Sequence, residues 1–233
     1  MRGERLADAY PPPYRLTCDL AVFPVLASSS RLQARGLPAF GLAGRCLAFV
    51  TVARYASAVY GAHRMPFPRG QLSGKDFYRE VAIIILRGLL PGFSFSFPQL
   101  WVDSPDAAPL ELGWRYGFPK GSAAISVEQD ADQLRVESFV EDGSVLSLAA
   151  GFGANVPAIM ATALAFGEGV FPLARQKARL RLDGGEGARL LSVRQWNAPA
   201  LERWGITGPP RFGLWLKDTV LSLGRPTPIT TGR

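Results

Sequence analysis

Polar and apolar residues alternate with a period of two along much of this chain, the period of strands, whose successive side chains point to opposite faces. Phe93-Ser94-Phe95-Ser96-Phe97 alternates aromatic and hydroxyl side chains strictly, and residues 134–140 put mostly apolar side chains on one face with Arg135 and Glu137 on the other. Further strands are predicted over 20–25, 46–54, 78–86, 100–102, 123–128, 144–149 and 211–216. Residues 178–183 and 188–196 flank Gly184-Gly185-Glu186-Gly187, whose glycines allow the positive φ of tight turns, so these two segments are expected to form a hairpin. Short helices are expected over 30–36, after the capping serines Ser28, Ser29 and Ser30, and over 157–166 and 200–204. The predicted class is mainly β (α+β), an antiparallel sheet closing toward a barrel or a sandwich, with a few short helices.

Composition narrows this without changing it. The 233 residues are 48% hydrophobic and 19% charged, which suffices for a buried core. The 25 Gly and 19 Pro spread through the chain without forming a linker, so one domain over 1–233 is expected, with 1–13 as an extended N-terminal segment. Residues 144–167 run 24 positions without a charge, but Gly151, Gly153, Asn155 and Pro157 interrupt them, so a strand, a loop and a short buried segment are expected and no membrane span. The first 13 residues carry charges and prolines where a signal peptide has its apolar core, so a cytoplasmic location is expected.

The net charge of +7 comes from 26 basic residues scattered mostly as singles. Their best cluster, Arg175, Lys177, Arg179 and Arg181, alternates as a solvated strand face would, so no nucleic-acid partner is expected. Cys18 and Cys46 stand alone, and the single histidine, His63, lies in a proline-rich stretch read as a loop, so neither a metal site nor a cofactor is expected.

General motifs for nucleotide binding or nucleophilic serine chemistry are absent, which leaves carboxylates and lysine. Lysine is scarce: Lys75, Lys120, Lys177 and Lys217. Lys120 follows Trp114, Tyr116, Phe118 and Pro119, and desolvation by such neighbours disfavours the charged form of an amine. A neutral amine condenses with a ketone or aldehyde to a Schiff base, whose iminium accepts the electrons of a breaking neighbouring bond. The plainer reading is a strand-end lysine whose stem packs on aromatics while its head reaches water.

A resemblance bears on that choice. Gly117-Phe118-Pro119-Lys120, preceded by an aromatic-rich strand around Trp101-Val102-Asp103, resembles the Gly-(aromatic)-Pro-Lys signature of the acetoacetate decarboxylase superfamily. Tyr78-Arg79-Glu80, with Glu80 40 positions before Lys120, resembles that family's Tyr-x-Glu, and the stretch from Trp204 through Gly208, Pro209 and Arg211 is similar to its late Trp-x-Gly-Pro-x-Arg-Leu segment. The resemblance spans residues 20–216. It implies an acetoacetate decarboxylase-like β-barrel or β-cone and a homo-oligomer. It also implies a lyase on a small keto acid or carbonyl compound, in which Lys120 forms the Schiff base and Glu80 handles protons. Tyr78, Tyr116 and Phe118 are then expected around the substrate. The family's carboxylate-binding arginine on the N-terminal strand has its nearest counterpart in Arg15, although the aligned position falls closer to Cys18 or Asp19. The family's second lysine is replaced by Gly121. These departures leave the amine in place and admit decarboxylation, aldol-type chemistry or dehydration. They also admit a non-catalytic ligand-binding protein in which Lys120 pairs an anionic ligand.

Overall fold

The computed structural model describes residues 13–37, 41–60, 63–64, 78–88, 93–104, 113, 117–157, 166–171, 176–183 and 187–229. It is built almost wholly of strands. From the N-terminus these are β1 (Tyr14–Ser28), β2 (Gly41–Leu42), β3 (Arg45–Tyr60), β4 (His63–Arg64), β5 (Tyr78–Gly88) and β6 (Ser94–Asp103). Then come β7 (Lys120–Ser122), β8 (Ala124–Gln129), β9 (Gln133–Val140), β10 (Gly143–Val156) and β11 (Phe166–Phe171). The C-terminal part holds β12 (Gln176–Asp183), β13 (Gly187–Asn197), β14 (Phe212–Leu223) and β15 (Thr227–Pro228). Two short helices, α1 (Ser29–Gln33) and α2 (Pro199–Glu202), complete the described elements. Ser28 caps α1 by accepting from the Arg31 N–H, and each helix turns one leucine, Leu32 and Leu201, into the core.

The strand order β12-β11-β6-β5-β3-β1-β14 returns to β12, which pairs with β14 over Leu180↔Leu223 to Asp183↔Val220, so seven strands close a ring. Pairing is antiparallel except for β11–β6 and β6–β7, which are parallel. From β14 the sheet also continues through β13, β10 and β9 to β8, and this branch folds over the outside of the ring.

The fork lies on β14, whose 212–217 half pairs with β13 and whose 220–223 part pairs with β12. Between them Asp218 has φ 51°, a left-handed conformation that aspartate tolerates better than most residues, and its N–H donates to Asp19 Oδ1 at 2.9 Å. Opposite, β1 shifts register between Cys18 and Leu20. An irregularity on both partners lets one long strand serve two neighbours. It also corrects one sequence expectation: 178–183 and 188–196 are strands, but not a hairpin, because both pair with β14 and not with each other. Alternation fixes which face a strand buries, not which strand lies beside it.

Smaller corrections follow the same logic. The segments 93–97 and 100–102 belong to one strand, β6, whose register shifts opposite Ile83 and Ile85. His63 and Arg64 form the short strand β4 on the end of β3 instead of a loop. The expected helix 157–166 meets β11 at its last residue, and 158–165 lie outside the described residues. Among the described residues no helix is long and apolar enough to cross a membrane.

The ring wall is double-faced. Its outer side presents Ala21, Phe23 and Val25 from β1, Val50 and Val52 from β3, and Val81, Ile83 and Ile85 from β5, packed against Ile125, Leu134, Val136, Leu146, Leu148 and Leu191 of the covering branch. Its inner side presents the alternate residues, among them Cys18, Ala53, Tyr55, Tyr78, Ala82, Leu100, Val102 and Phe118. Lys120 and Glu80 lie on this inner side.

Candidate active site

The Gly117-Phe118-Pro119-Lys120 segment explains itself once its backbone is followed. Gly117 has φ +74°, a region favourable to glycine, and Phe118 then turns inward to meet Phe97 edge to face at 5.2 Å between centroids. The Phe118 N–H donates to the Gly113 carbonyl at 3.1 Å, and the Lys120 N–H donates to the Phe118 carbonyl at 2.9 Å, a tight turn around Pro119. The Pro119 carbonyl accepts from the Leu100 N–H at 3.1 Å and from Gln99 Nε2 at 3.1 Å. Pinned this way, β7 runs parallel to β6 with Lys120 beside Leu100, an inward-facing position, so the lysine side chain enters the barrel.

There it meets Glu80. Lys120 Nζ lies 2.9 Å from Glu80 Oε2, with the two side chains only 8% and 9% exposed. The contact has the distance of an ion pair but not the angles of a hydrogen bond, so Oε2 keeps the capacity to accept one. Glu80 Oε1 receives the Tyr55 hydroxyl at 3.4 Å, a long hydrogen bond. Tyr55 stacks on Tyr78 at 4.1 Å, as the register Tyr55↔Tyr78 between β3 and β5 requires. Lys120 Nζ sits 5.4 Å from the centre of the Tyr78 ring and 5.8 Å from that of Phe118, within the range where ring faces attract a cation. The floor is therefore aromatic, with one carboxylate held between an amine and a phenol.

Two neighbouring groups are locked in their protonated forms. Burial, reinforced by the charge of Glu80 and by Cys18, pushes the Tyr55 phenol well above its usual range, so it serves as a donor. Burial, then the charges of Asp19 and Glu80, push the Cys18 thiol far above the usual thiol range, which makes it a poor nucleophile.

The structure brings Lys120, Glu80, Tyr78 and Phe118 together and leaves Arg15 apart. On β1, Tyr14, Leu16 and Cys18 are buried while Arg15 between them is exposed, which puts Arg15 on the wrong face of its strand to hold a substrate carboxylate beside Lys120. Cys18 takes the inward place. Tyr116, with Trp114 and Arg115, lies outside the described residues. Gly121 follows Lys120 on the strand, so a side chain there would start toward Gln99 Nε2, 3.6 Å away, and not along the lysine. Among the described residues no group of three or more His, Cys, Asp or Glu could hold a metal ion.

Sequence reasoning missed Tyr55 and Gly113. Tyr55 could have been found by carrying the inward parity of Tyr78 and Glu80 across to the preceding strand. A Cβ on Gly113 would lie 2.6 Å from Lys120 Cδ and 2.7 Å from Cε, so this glycine makes room for the lysine stem, a relation invisible without the fold.

Comparison with known proteins agrees with this architecture. An acetoacetate decarboxylase-like enzyme from Sphingomonas wittichii RW1 superposes with a TM-score of 0.67 at 18% identity, over 93% of this chain and 92% of that one. Acetoacetate decarboxylase from Legionella pneumophila superposes with a TM-score of 0.69 at 16% identity, over 99% and 92%. The enduracididine biosynthesis enzyme MppR complexed with pyruvate gives 0.61 at 13% identity, over 94% and 91%. No family model matches the chain, and no curated protein matches it by sequence. The chain has the acetoacetate decarboxylase-like fold.

Proposed function

We propose that this protein is a Schiff-base-forming lyase that acts on a small keto acid or carbonyl compound through Lys120. The observation that carries the reading is the buried contact between Lys120 Nζ and Glu80 Oε2 at 2.9 Å inside the barrel. A proton passing from Nζ to Glu80 leaves a neutral amine, whose lone pair attacks the substrate carbonyl carbon. The resulting carbinolamine loses water to give the protonated imine. When the neighbouring carbon bond breaks, as carbon dioxide or as a carbonyl fragment leaves, the iminium takes up its electron pair to form an enamine. Protonation of the enamine carbon and hydrolysis by one water then release product and free Lys120. Glu80, held also by Tyr55, is placed to return the proton. The likeness to acetoacetate decarboxylases and to an enzyme whose structure holds pyruvate supports a keto-acid or related carbonyl substrate.

A purely ligand-binding role, with Lys120 pairing an anion, fits less well, because Glu80 already balances the lysine charge at contact distance. Incubation with pyruvate or acetone followed by borohydride is expected to label Lys120 and not Lys177 or Lys217. Glu80→Gln is expected to lower turnover by about 10²–10⁴-fold, the usual worth of positioned acid-base catalysis. Absence of any adduct on Lys120, beside a labelled control enzyme, would overturn the proposal.

A further inference from the structure

The barrel holds a feature that the lysine–carboxylate chemistry does not use. A cavity of about 120 Å³ runs beside Glu80 and Tyr55, and its walls include Val22, Phe49, Ile84, Phe95, Leu182 and Leu221. These six residues come from six of the seven ring strands, so the space lies within the ring itself. Lys120 does not line it; Glu80 and Tyr55 are where it meets the reactive pair. Thr51 is its other inward polar residue among those described, and Arg181 reaches it from an exposed position where it pairs with Asp183. Two wall positions, Ala82 and Thr51, are occupied by side chains too small to fill the gap.

The pocket is partly open to solvent, but its lining is predominantly apolar, so it is suited to a compact hydrocarbon group and poorly suited to an unpaired charge. Resting on the Schiff-base reading, we infer that the substrate carries such a group on its carbonyl carbon, a branched alkyl of about four carbons or a phenyl ring, which seats in this cavity while the carbonyl meets Lys120. The cavity thereby selects among carbonyl compounds by the shape of the unreactive end. Tyr55 and Glu80 mark the boundary between the apolar seat and the reacting atoms.

The test uses the intact protein and a series of methyl ketones, namely acetone, 2-butanone, 2-pentanone, 4-methyl-2-pentanone and 2-undecanone. Each condenses with Lys120 with loss of water, and borohydride hydride adds to the imine carbon to leave a stable secondary amine that mass spectrometry counts. At subsaturating ketone, labelling is expected to rise about fourfold per added methylene up to the four-carbon tail, the gain expected from burying that surface, and to fall again for the nine-carbon tail. Ala82→Leu, which fills the seat, is expected to lower the ratio of 4-methyl-2-pentanone to acetone labelling at least tenfold. Ile84→Val, a milder change that widens the seat, is expected to move the optimum to a longer tail. Labelling that is flat along the series in the unmodified protein overturns the apolar seat and leaves the Schiff-base reading standing. No labelling by any ketone, acetone included, overturns both.

Discussion

The two faces of one barrel wall are built from the same strands and do opposite work. On β5, Val81, Ile83 and Ile85 point outward into a core closed by the covering branch, and all three are fully buried. Their neighbours Tyr78, Glu80, Ala82 and Ile84 point inward, toward an amine, a phenol and open space. Polar groups occur on both sides, but with different partners. Outward, Arg79 Nη1 donates to the Ile125 carbonyl at 2.8 Å, and Asp103 Oδ2 accepts from the Ile125 N–H at 3.0 Å, so charge is spent tying β8 to the wall. Inward, Glu80 faces Lys120 and Tyr55, side chains against side chains. A period of two therefore separates a face that holds the wall in place from a face that is free to carry chemistry.

The two faces should be separable by mutation. Ile83→Ala removes a fully buried outward side chain and is expected to destabilise the fold by about 2–5 kcal/mol while each folded molecule still forms its Lys120 adduct. Lys120→Met is expected to abolish the adduct completely. Because it strands a buried carboxylate, it is also expected to destabilise by about 3–5 kcal/mol, and Glu80→Leu added to it should recover much of that loss. Denaturant melts and borohydride labelling on the same preparations check both. Loss of labelling in fully folded Ile83→Ala would show that the faces are not separable.

Much of this was legible in the residues, and the limit has a physical cause. Strand existence followed from alternation, and the pairing of Lys120 with Glu80 was approached through Tyr78-Arg79-Glu80 and Gly117-Phe118-Pro119-Lys120, because a glycine with positive φ, a proline turn and an alternating strand act locally. What depended on partner choice did not follow. The fork at Asp218 turned an expected hairpin into two strands sharing β14. The face of Arg15 is set by its register on β1, which brings Cys18 inward instead, and short-range sequence does not reveal that register. Tyr55 and the apolar cavity depend on residues brought together from many strands, none of which is distinctive alone.

On the inner side, Gly113 acts on the lysine through space alone. Gly113→Ala would bring a Cβ to 2.6–2.7 Å from Lys120 Cδ and Cε, closer than carbon atoms approach, so the lysine stem has to move. A displacement of about 1 Å at a reacting group costs on the order of 10²-fold in rate, so kcat/KM is expected to fall by about that factor. A merely structural role would instead lower the Tm with unchanged kinetics of the remaining folded protein. A variant with normal kinetics and a normal Tm would show that the amine tolerates displacement and that its placement beside Glu80 is not what makes it reactive.

The two cysteines lie one on each face. Cys18 lies inward, and burial with the charges of Asp19 and Glu80 raises its thiol far above the ordinary range. Cys46 lies outward; burial raises its thiol too, and its S–H donates to the Ala27 carbonyl at 3.6 Å. In the unfolded chain both thiols ionise near pH 8.5, whereas the fold holds them protonated. A raised folded value contributes stability that is complete below the unfolded value and is lost as pH rises above it, by up to about 1.4 kcal/mol per pH unit for each group. Stability should therefore decline from about pH 8.5 upward, with Tyr55 adding to the slope above about pH 10, where an unfolded phenol ionises. Cys18→Ala is expected to flatten the decline between pH 9 and 10 at least as much as Cys46→Ala does, because the inner thiol has two carboxylates for neighbours in addition to its burial. A larger flattening by Cys46→Ala in urea melts across that range would mean that the inner thiol ionises in the folded state and that burial with the charges of Asp19 and Glu80 does not hold it protonated.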